Sequence, residues 1–287
     1  PIRDSLREVL GKPLITSLPD VSIPFHITAK QILGTDLKLD ADTPIVLDEV
    51  VLQGDMQGSD IALETLNMRA PQGSVDLTGK VALARTWPLV RAKVRSNLTP
   101  LVGETADLLL GGNVLGKVTL ATQTQGPIAA TSLIVAEPSV PGLPLAVSLS
   151  SKNLTLPLDA KTKGESTKLS NVSLRMTGSA ARWTLRSGVT VDAPQTPPAT
   201  LALKAHGTLT NLDIDSLVAK TAGGTGTLVA KADWANDLTF DGDLKLSQLG
   251  VHHFVPSVEA TLSGDTKIQG RLTPKSWMVD LPTLDIH

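Results

Sequence analysis

The chain has 287 residues, with 26 Lys and Arg against 28 Asp and Glu, a net charge of −2, no Cys and only 2% aromatic residues. The charge balance excludes the basic footprint of a nucleic-acid binder, and the lack of Cys excludes disulfides, thiolate metal sites and a Cys nucleophile. Hydrophobic residues make up 41% of the chain and are nearly all aliphatic, but no stretch is long enough to cross a bilayer as a helix.

The first predicted element is a short helix over Asp4 to Leu10, ended by Gly11. A second helix is predicted over Thr99 to Leu110, a Leu-rich run opened by Pro100. Both are interpreted as caps or crossovers of a sheet. We assign residues 1–20 to a cap and entry segment and residues 21–287 to a continuous β segment. Because the chain starts at Pro1 without Met, it is interpreted as a segment of a larger polypeptide.

Most of the chain alternates apolar and polar residues, as in Ile23 to Ile27, Leu145 to Leu149, Leu201 to Ala205 and Trp277 to Leu281. This period of two places the apolar residues of a strand on one face. Turn signals recur about every ten residues. The pattern predicts an all-β protein of about 18 to 22 short strands with one aliphatic face.

The predicted turns are Gly34-Thr35-Asp36, Pro71-Gln72-Gly73, Gly111-Gly112-Asn113, Pro138 to Pro144, Gly223-Gly224, Asp241-Gly242 and Gly264-Asp265. Each contains Gly or Pro, which is typical of chain reversals.

One internal repeat has two copies with identical apolar spacing. The copies are Ile61, Leu63, Leu66, Met68 and Leu212, Ile214, Leu217, Ala219. The extra residue in the middle would turn the later side chains to the wrong face unless a β-bulge absorbs it. The repeat therefore predicts the same bulged strand twice.

Signatures of catalysis are missing from the sequence. His252-His253 is the only His pair, and neighbours on a strand point to opposite faces. The run Gly223 to Gly226 lacks the Lys and the helix of a phosphate cradle, and no Ser lies in a Gly-x-Ser-x-Gly motif. We therefore expect no enzyme activity, no metal site and no cofactor.

The aliphatic face has two interpretations. It is either the dry interior of a β-sandwich or a groove filled by a ligand. A strand number near 20 exceeds the roughly seven to nine strands of a usual sandwich, and the scarcity of rings would leave a two-sheet core lightly filled. From the residues alone both interpretations stay open.

Three stretches together resemble the repeated strand pattern of a known family. They are Leu212-Asp-Ile-Asp-Ser-Leu217 through Gly223-Gly224 and Ala232-Asp-Trp234 to Gly242-Asp-Leu-Lys-Leu246; Pro141-Gly-Leu-Pro-Leu145 to Ser150-Ser151-Lys152; and Gly270-Arg-Leu272 to Ser276-Trp277. The family is that of TamB, within the AsmA-like, bridge-like lipid transfer proteins, and the resemblance covers the chain from about residue 45 onward.

The resemblance implies an elongated, curved sheet folded as a taco around an aliphatic groove. It implies a middle segment of a periplasmic protein that is anchored in the inner membrane outside this segment. It further implies phospholipid acyl chains as ligand, transport between the two membranes, and a BamA-like outer-membrane barrel as partner of the missing part of the chain. The alternative function is a scaffold or chaperone for outer-membrane barrel assembly by β-augmentation.

The resemblance also turns the aliphatic face into a predicted lipid-groove lining. The predicted lining residues are Ile61, Leu63, Leu66, Met68, Val75, Leu77, Val81, Leu83, Leu145, Val147, Leu149, Leu201, Leu203, Leu212, Ile214, Leu228, Leu244, Leu246, Val279 and Leu281.

Overall fold

The computed structural model describes residues 11–18, 22–39, 45–82, 86–156, 166–179, 181–194, 196–221, 223–235, 238–251, 259–272, 277–280 and 284–286. The chain divides into two compact units, residues 1–147 and 148–287. The described residues form 18 β-strands and no α-helix, and accordingly none of them belongs to a helix that could cross a membrane. The prediction of an all-β fold with 18 to 22 strands is confirmed.

The first unit is an antiparallel meander in which each strand pairs with its sequence neighbour. Its strands are β1 (Ile23–Leu39), β2 (Ile45–Gly58), β3 (Asp60–Ala70), β4 (Gly73–Ala82), β5 (Thr86–Ser96), β6 (Thr105–Gly112), β7 (Val118–Gln125) and β8 (Ile128–Ala136). The boundary between the two units falls within β9 (Leu145–Leu156).

The second unit repeats this antiparallel meander. Its further strands are β10 (Thr167–Gly178), β11 (Trp183–Asp192), β12 (Ala199–Gly207), β13 (Asn211–Thr221), β14 (Gly224–Asp233), β15 (Leu238–Gly250), β16 (Thr261–Leu272), β17 (Trp277–Asp280) and β18 (Leu284–Ile286). Both β17 and β18 pair with β16, one with each half of it.

The predicted bulge is present in both copies of the repeat. The register between β3 and β4 shifts between Leu63 and Leu66, and the register between β13 and β14 shifts between Ile214 and Leu217. In each case the bulged strand carries one residue more than its partner, so the apolar residues on both sides of the bulge face the same way. The repeat is therefore a structural one.

The helix predicted over Thr99 to Leu110 is wrong, because residues Thr105–Gly112 form β6. Leu108 and Leu110 are half-buried on one face of this strand, whereas Leu109 is exposed on the other. The backbone of β6 pairs with β5 on one side and with β7 on the other, and this pairing overrides the helix propensity of a Leu-rich run. The helix predicted over Asp4 to Leu10 lies outside the described residues.

Four of the seven turn predictions are confirmed. Pro71-Gln72 forms the turn between β3 and β4, and residues 138–144 form the connection between β8 and β9. Asn113 opens the turn between β6 and β7, and Gly223 lies in the turn between β13 and β14. The other three are wrong, because Gly34-Thr35-Asp36, Asp241-Gly242 and Gly264-Asp265 lie inside β1, β15 and β16. Asp36 has a positive φ of 53° within β1, so the strand is locally irregular there but does not reverse.

The described residues contain hardly any closed core. Val114 and Ala205, at 4% and 2% exposed, are the buried apolar residues among them, and none of their large side chains is fully buried. The aliphatic residues are instead mostly half-buried. In each unit the sheet therefore leaves its apolar side chains partly open to solvent.

Candidate functional site

The aliphatic face of the first unit is formed by rows of side chains that cross the strands. Residues directly opposite each other in an antiparallel pair point to the same face, and their side chains are in contact distance. The three central rows are Val50, Met68, Val75, Val94 and Ala106; Leu52, Leu66, Leu77, Ala92 and Leu108; and Leu63, Gly79, Val90, Leu110, Leu120 and Ile134.

The second unit has rows of the same kind. They are Val189, Leu201, Ala219, Gly226 and Leu246; Leu174, Ser187, Leu203, Leu217, Leu228 and Leu244; and Met176, Leu185, Ala205, Ile214, Ala230 and Ile268, the last two joined through Gly242. Each row crosses at least five strands. A mainly apolar stripe, interrupted by Ser187 in one row, thus runs in register across most of each meander.

The register brings most of the predicted lining residues together, unit by unit. Ile61, Leu63, Leu66, Met68, Val75 and Leu77 share the aliphatic face of the first unit, and Leu201, Leu203, Leu212, Ile214, Leu228, Leu244 and Leu246 share that of the second. All of these side chains are half-buried.

The remaining predicted residues are outside these two groups, although Val81 lies directly opposite Ile61 in the β3–β4 ladder. Leu145, Val147 and Leu149 alternate along β9, where the first two are half-buried and Leu149 is exposed. Val81 and Val279 are strand residues of β4 and β17. Leu83 and Leu281 lie outside the described residues, as does the pair His252-His253.

Several members of the aliphatic face were not predicted. Val50, Leu52 and Leu120 continue the rows in β2 and β7, and Leu108 and Leu110 continue them in β6. The signal for the first three is the same period of two in neighbouring segments. Leu108 and Leu110 were missed because they were assigned to a helix.

The aliphatic face carries a small polar area in β7 and β8, where the polar groups satisfy one another. The Thr122 and Ser132 hydroxyls are 2.6 Å apart, and Thr124 donates to the Ile128 carbonyl at 2.6 Å and accepts from the Ala130 amide at 3.0 Å. Hydroxyls that already have partners do not hold a ligand in one place. We therefore expect this part of the face to hold a bound ligand only weakly.

Two aromatic rings cover one end of the aliphatic face in the second unit. The ring of Trp183 lies over Gly207, its partner in the β11–β12 ladder, and the ring of Phe240 lies over Gly270, its partner in the β15–β16 ladder. The Trp183 indole N–H donates to the Thr208 carbonyl at 3.0 Å. At that end of the face the two rings fill the space that a side chain at either glycine position would need.

Charged groups occupy the opposite face of each sheet. His26 Nε2 is 2.5 Å from Asp55 Oδ1, and the Thr28 hydroxyl donates to the same oxygen at 2.8 Å. These hydrogen bonds, from Thr28 first and then His26, hold the pKa of the Asp55 carboxyl below its ordinary value. His206 Nδ1 lies 2.9 Å from Asp215 Oδ1.

Metal binding is not supported by the charged residues. In the part of the chain that the structure describes, no group of three or more His, Asp or Glu side chains could hold a metal ion. The His and Asp contacts join neighbouring strands, as cross-strand contacts do: His26 of β1 contacts Asp55 of β2, and His206 of β12 contacts Asp213 and Asp215 of β13.

The fold and the site define an all-β protein of antiparallel meanders with one open aliphatic face. Sequence comparison identifies the family: the chain matches the family described as "TamB, N-terminal domain" over residues 1–287. The chain therefore belongs to the TamB family, which confirms the family predicted from the strand pattern.

A curated relative has the same affiliation. The chain is 22% identical over 307 aligned positions to the translocation and assembly module subunit TamB of Haemophilus influenzae. The alignment covers 99% of this chain but 23% of the relative, so the chain spans about a quarter of that protein's length. None of the solved structures matches the chain.

Proposed function

We propose that the aliphatic face conducts phospholipid acyl chains through the periplasm, between the inner and outer membranes, and so supports outer-membrane biogenesis. In this proposal residues 21–287 form a continuous groove segment of a longer protein that is anchored in the inner membrane. Its other parts contact a BamA-like outer-membrane barrel. The segment itself acts by binding and not by catalysis.

The observation that carries the proposal is the continuity of the aliphatic rows together with their incomplete burial. A row such as Leu52, Leu66, Leu77, Ala92 and Leu108 crosses five strands, and its members are half-buried. Full burial of a Leu side chain is worth about 1.5–3 kcal/mol. A ligand that covers these rows would thus recover free energy that the described fold leaves unused.

An acyl chain fits this surface because it needs apolar contact and no directional partner. Each methylene that leaves water contributes about 0.8 kcal/mol. The aliphatic rows offer similar contacts at each step along the face, and the hydroxyls in β7 and β8 are already paired. A chain bound in this way can be displaced along the rows at little cost, which transport requires.

The test compares two adjacent leucines on opposite faces of β6. Leu108 belongs to the aliphatic face and Leu109 to the polar face. We expect Leu108→Arg, and likewise Leu203→Arg in β12, to reduce the phospholipid that co-purifies with the intact protein in native mass spectrometry. Leu109→Arg is the matched control, and its lipid content should equal that of the unaltered protein.

A photo-crosslinking amino acid at the same two positions gives an independent readout. Crosslinks to phospholipid are expected from position 108 and not from position 109. Circular dichroism establishes that all variants keep their β content. Equal lipid binding by the Leu108 and Leu109 variants, or an absence of bound lipid in the unaltered protein, contradicts the proposal.

The second candidate function is β-augmentation of unfolded outer-membrane strands, and β1 favours it. Among the residue pairings that the structure describes, β1 pairs with β2, and no partner is described for its other edge. Its exposed apolar side chains include Phe25, Ile32 and Leu33, at 60%, 56% and 57% exposed. Such an edge is a template for another strand. Crosslinks from β1 to nascent barrel proteins would support this function, and crosslinks confined to lipid would oppose it.

A further inference from the structure

A hollow of about 550 Å³ lies on the polar face of the second unit, opposite the aliphatic rows. Its floor is a row of small side chains, Ser173, Gly188 and Ala202, on neighbouring strands β10, β11 and β12. The Ser173 hydroxyl donates to the Gly188 carbonyl at 3.4 Å. These three residues leave space because their side chains are small, and Val218 of β13, directly opposite Ala202, ends the row.

Four cations surround this floor. Arg175, Arg186 and Lys204 form the adjoining row, directly opposite one another across β10, β11 and β12, and Lys220 of β13 lies on the other side of the floor. Side chains in such opposed positions have Cβ atoms roughly 5 Å apart, and like charges there destabilise the sheet. The residues lining the hollow include no carboxylate.

The acidic residues nearby in the ladder are engaged elsewhere. Asp215 Oδ1 lies 2.9 Å from His206 Nδ1, and Asp213 lies 3.6 Å from His206 Nε2 and 3.9 Å from Lys231 Nζ. Within the described part of the chain, none of the four cations has an acidic partner. The hollow is thus a site of uncompensated positive charge.

The first unit provides a comparison. Its polar face has a larger hollow, of about 710 Å³, which contains two cations, Arg91 and Lys93, and two carboxylates, Asp76 and Asp107. Lys93 Nζ lies 3.8 Å from Asp107 Oδ1. Charges in a hollow of this sheet are therefore balanced in one unit and all positive in the other.

We propose that the hollow lined by Arg175, Arg186, Lys204 and Lys220 binds a phosphate-bearing anion. Two guanidinium groups offer planar pairs of N–H donors that match phosphate oxygens, and the two ammonium groups add charge without a geometric requirement. The bound anion would also offset the repulsion between Arg175 and Arg186. This site lies on the opposite face from the aliphatic rows, so it does not rest on the lipid path proposed above.

The experiment measures anion binding by the intact protein with three variants. Arg186→Gln and Lys204→Gln remove charges of the hollow, and Arg91→Gln removes one from the balanced hollow of the first unit. The probes are inorganic phosphate, against sodium chloride of equal ionic strength, and phosphatidylcholine vesicles with and without phosphatidylglycerol. Calorimetry and thermal unfolding report phosphate binding, and sedimentation reports vesicle binding.

We expect phosphate or phosphatidylglycerol to bind the unaltered protein and the Arg91 variant equally, and the Arg186 variant about tenfold more weakly. In phosphate-free buffer Arg186→Gln should unfold at the same or a higher temperature, because it removes a like-charge contact. Response to phosphate alone identifies a soluble phosphate ligand, and response to vesicles alone identifies a lipid headgroup. Binding of neither probe, equal weakening by Arg91→Gln, or a lower unfolding temperature of Arg186→Gln overturns the proposal.

Discussion

Trp183 lies directly across from Gly207 in the ladder between β11 and β12, and its indole ring covers the glycine. The ring is held from two sides, because its N–H donates to the Thr208 carbonyl in the following turn at 3.0 Å. A Cβ atom on residue 207 would lie 2.6 Å from Trp183 Cζ2 and would also press on the Asn211 carbonyl oxygen. The position therefore requires glycine for steric reasons.

Gly207→Ala should lower the free energy of unfolding by about 1–3 kcal/mol, because the ring or the backbone has to move. The matched control is Gly226→Ala on the same face, where a new Cβ would be 3.5 Å from Leu246 Cδ2, an ordinary contact. That control should be neutral or stabilising by up to about 1 kcal/mol. Urea unfolding followed by circular dichroism checks both, and equal destabilisation by the two changes would contradict the steric argument.

The bulge in β13 leads to a prediction about single-residue deletions. Removing Asp215 leaves Ile214 and Leu217 separated by one residue, so the strand becomes regular and its apolar residues keep their face. We expect this deletion to lower the free energy of unfolding by about 1 kcal/mol or less. Removing Val218 instead shifts Ala219 and the rest of the strand to the other face, and should cost several kcal/mol or prevent folding.

The same comparison can be made in the first unit, with deletion of Glu64 at the bulge and of Asn67 beyond it. Chemical unfolding of the four deletion variants is the measurement. If the deletions at the bulge lower the free energy of unfolding as much as those beyond it, the bulge does not keep the apolar residues on one face.

Substitutions in β1 should change self-association without changing stability. Phe25 and Leu33 are more than half exposed on a strand whose outer edge has no described partner. Phe25→Lys and Leu33→Lys place charge on this edge, which blocks strand addition. We expect less self-association in analytical ultracentrifugation and an unfolding temperature within about 2 °C of the unaltered protein. A large drop in unfolding temperature would show that these side chains are part of the packing.

The carboxyl of Asp55 should make stability sensitive to acid. Its pKa is lowered in the folded protein by hydrogen bonds from Thr28 and His26. A group with a lowered folded-state pKa contributes stability above its ordinary value of 3.8, and this contribution is lost as the pH falls through the lower folded-state value.

A carboxyl titration by NMR is the direct measurement of this effect. In Thr28→Val the pKa of Asp55 should rise toward its ordinary value, because the first of its two hydrogen bonds is gone. Unfolding temperatures measured between about pH 5 and about pH 2 should then fall less steeply in this variant. An unchanged pKa in Thr28→Val would refute the role of that hydrogen bond.

The sequence was sufficient for the strands, the shared aliphatic face and the bulges. These features follow from the period of two, which is a local property, and from the extra residue between Leu63 and Leu66 and between Ile214 and Leu217. The lipid-groove function of this face remains a proposal.

Features that depend on pairing between strands could not be predicted from the local sequence pattern. Leu108 to Leu110 were predicted to be helical because three consecutive leucines show no period of two. They form a strand because β6 pairs with β5 and β7. Gly242 read as a turn, but it lies inside β15, where a Cβ would come within 2.9 Å of the Ala230 Cβ. A glycine required by close approach of a neighbouring strand has the same local sequence signal as a glycine in a turn.

The cationic hollow could not be found from the sequence at all. Arg175, Arg186 and Lys204 are separated by turns of different length, and only the register of β10, β11 and β12 makes them neighbours. The small residues of its floor carry no signal of their own. Its detection depends on knowing which residues oppose one another.

The meander of each unit has a consequence for how the protein is made. Nearly every strand pairs with the strand just before it and the one just after it, so few contacts have to wait for distant parts of the chain. A topology of local contacts folds rapidly. Each hairpin can form as soon as both of its strands have been synthesised, and strands can be gained or lost in pairs during evolution without rethreading the others.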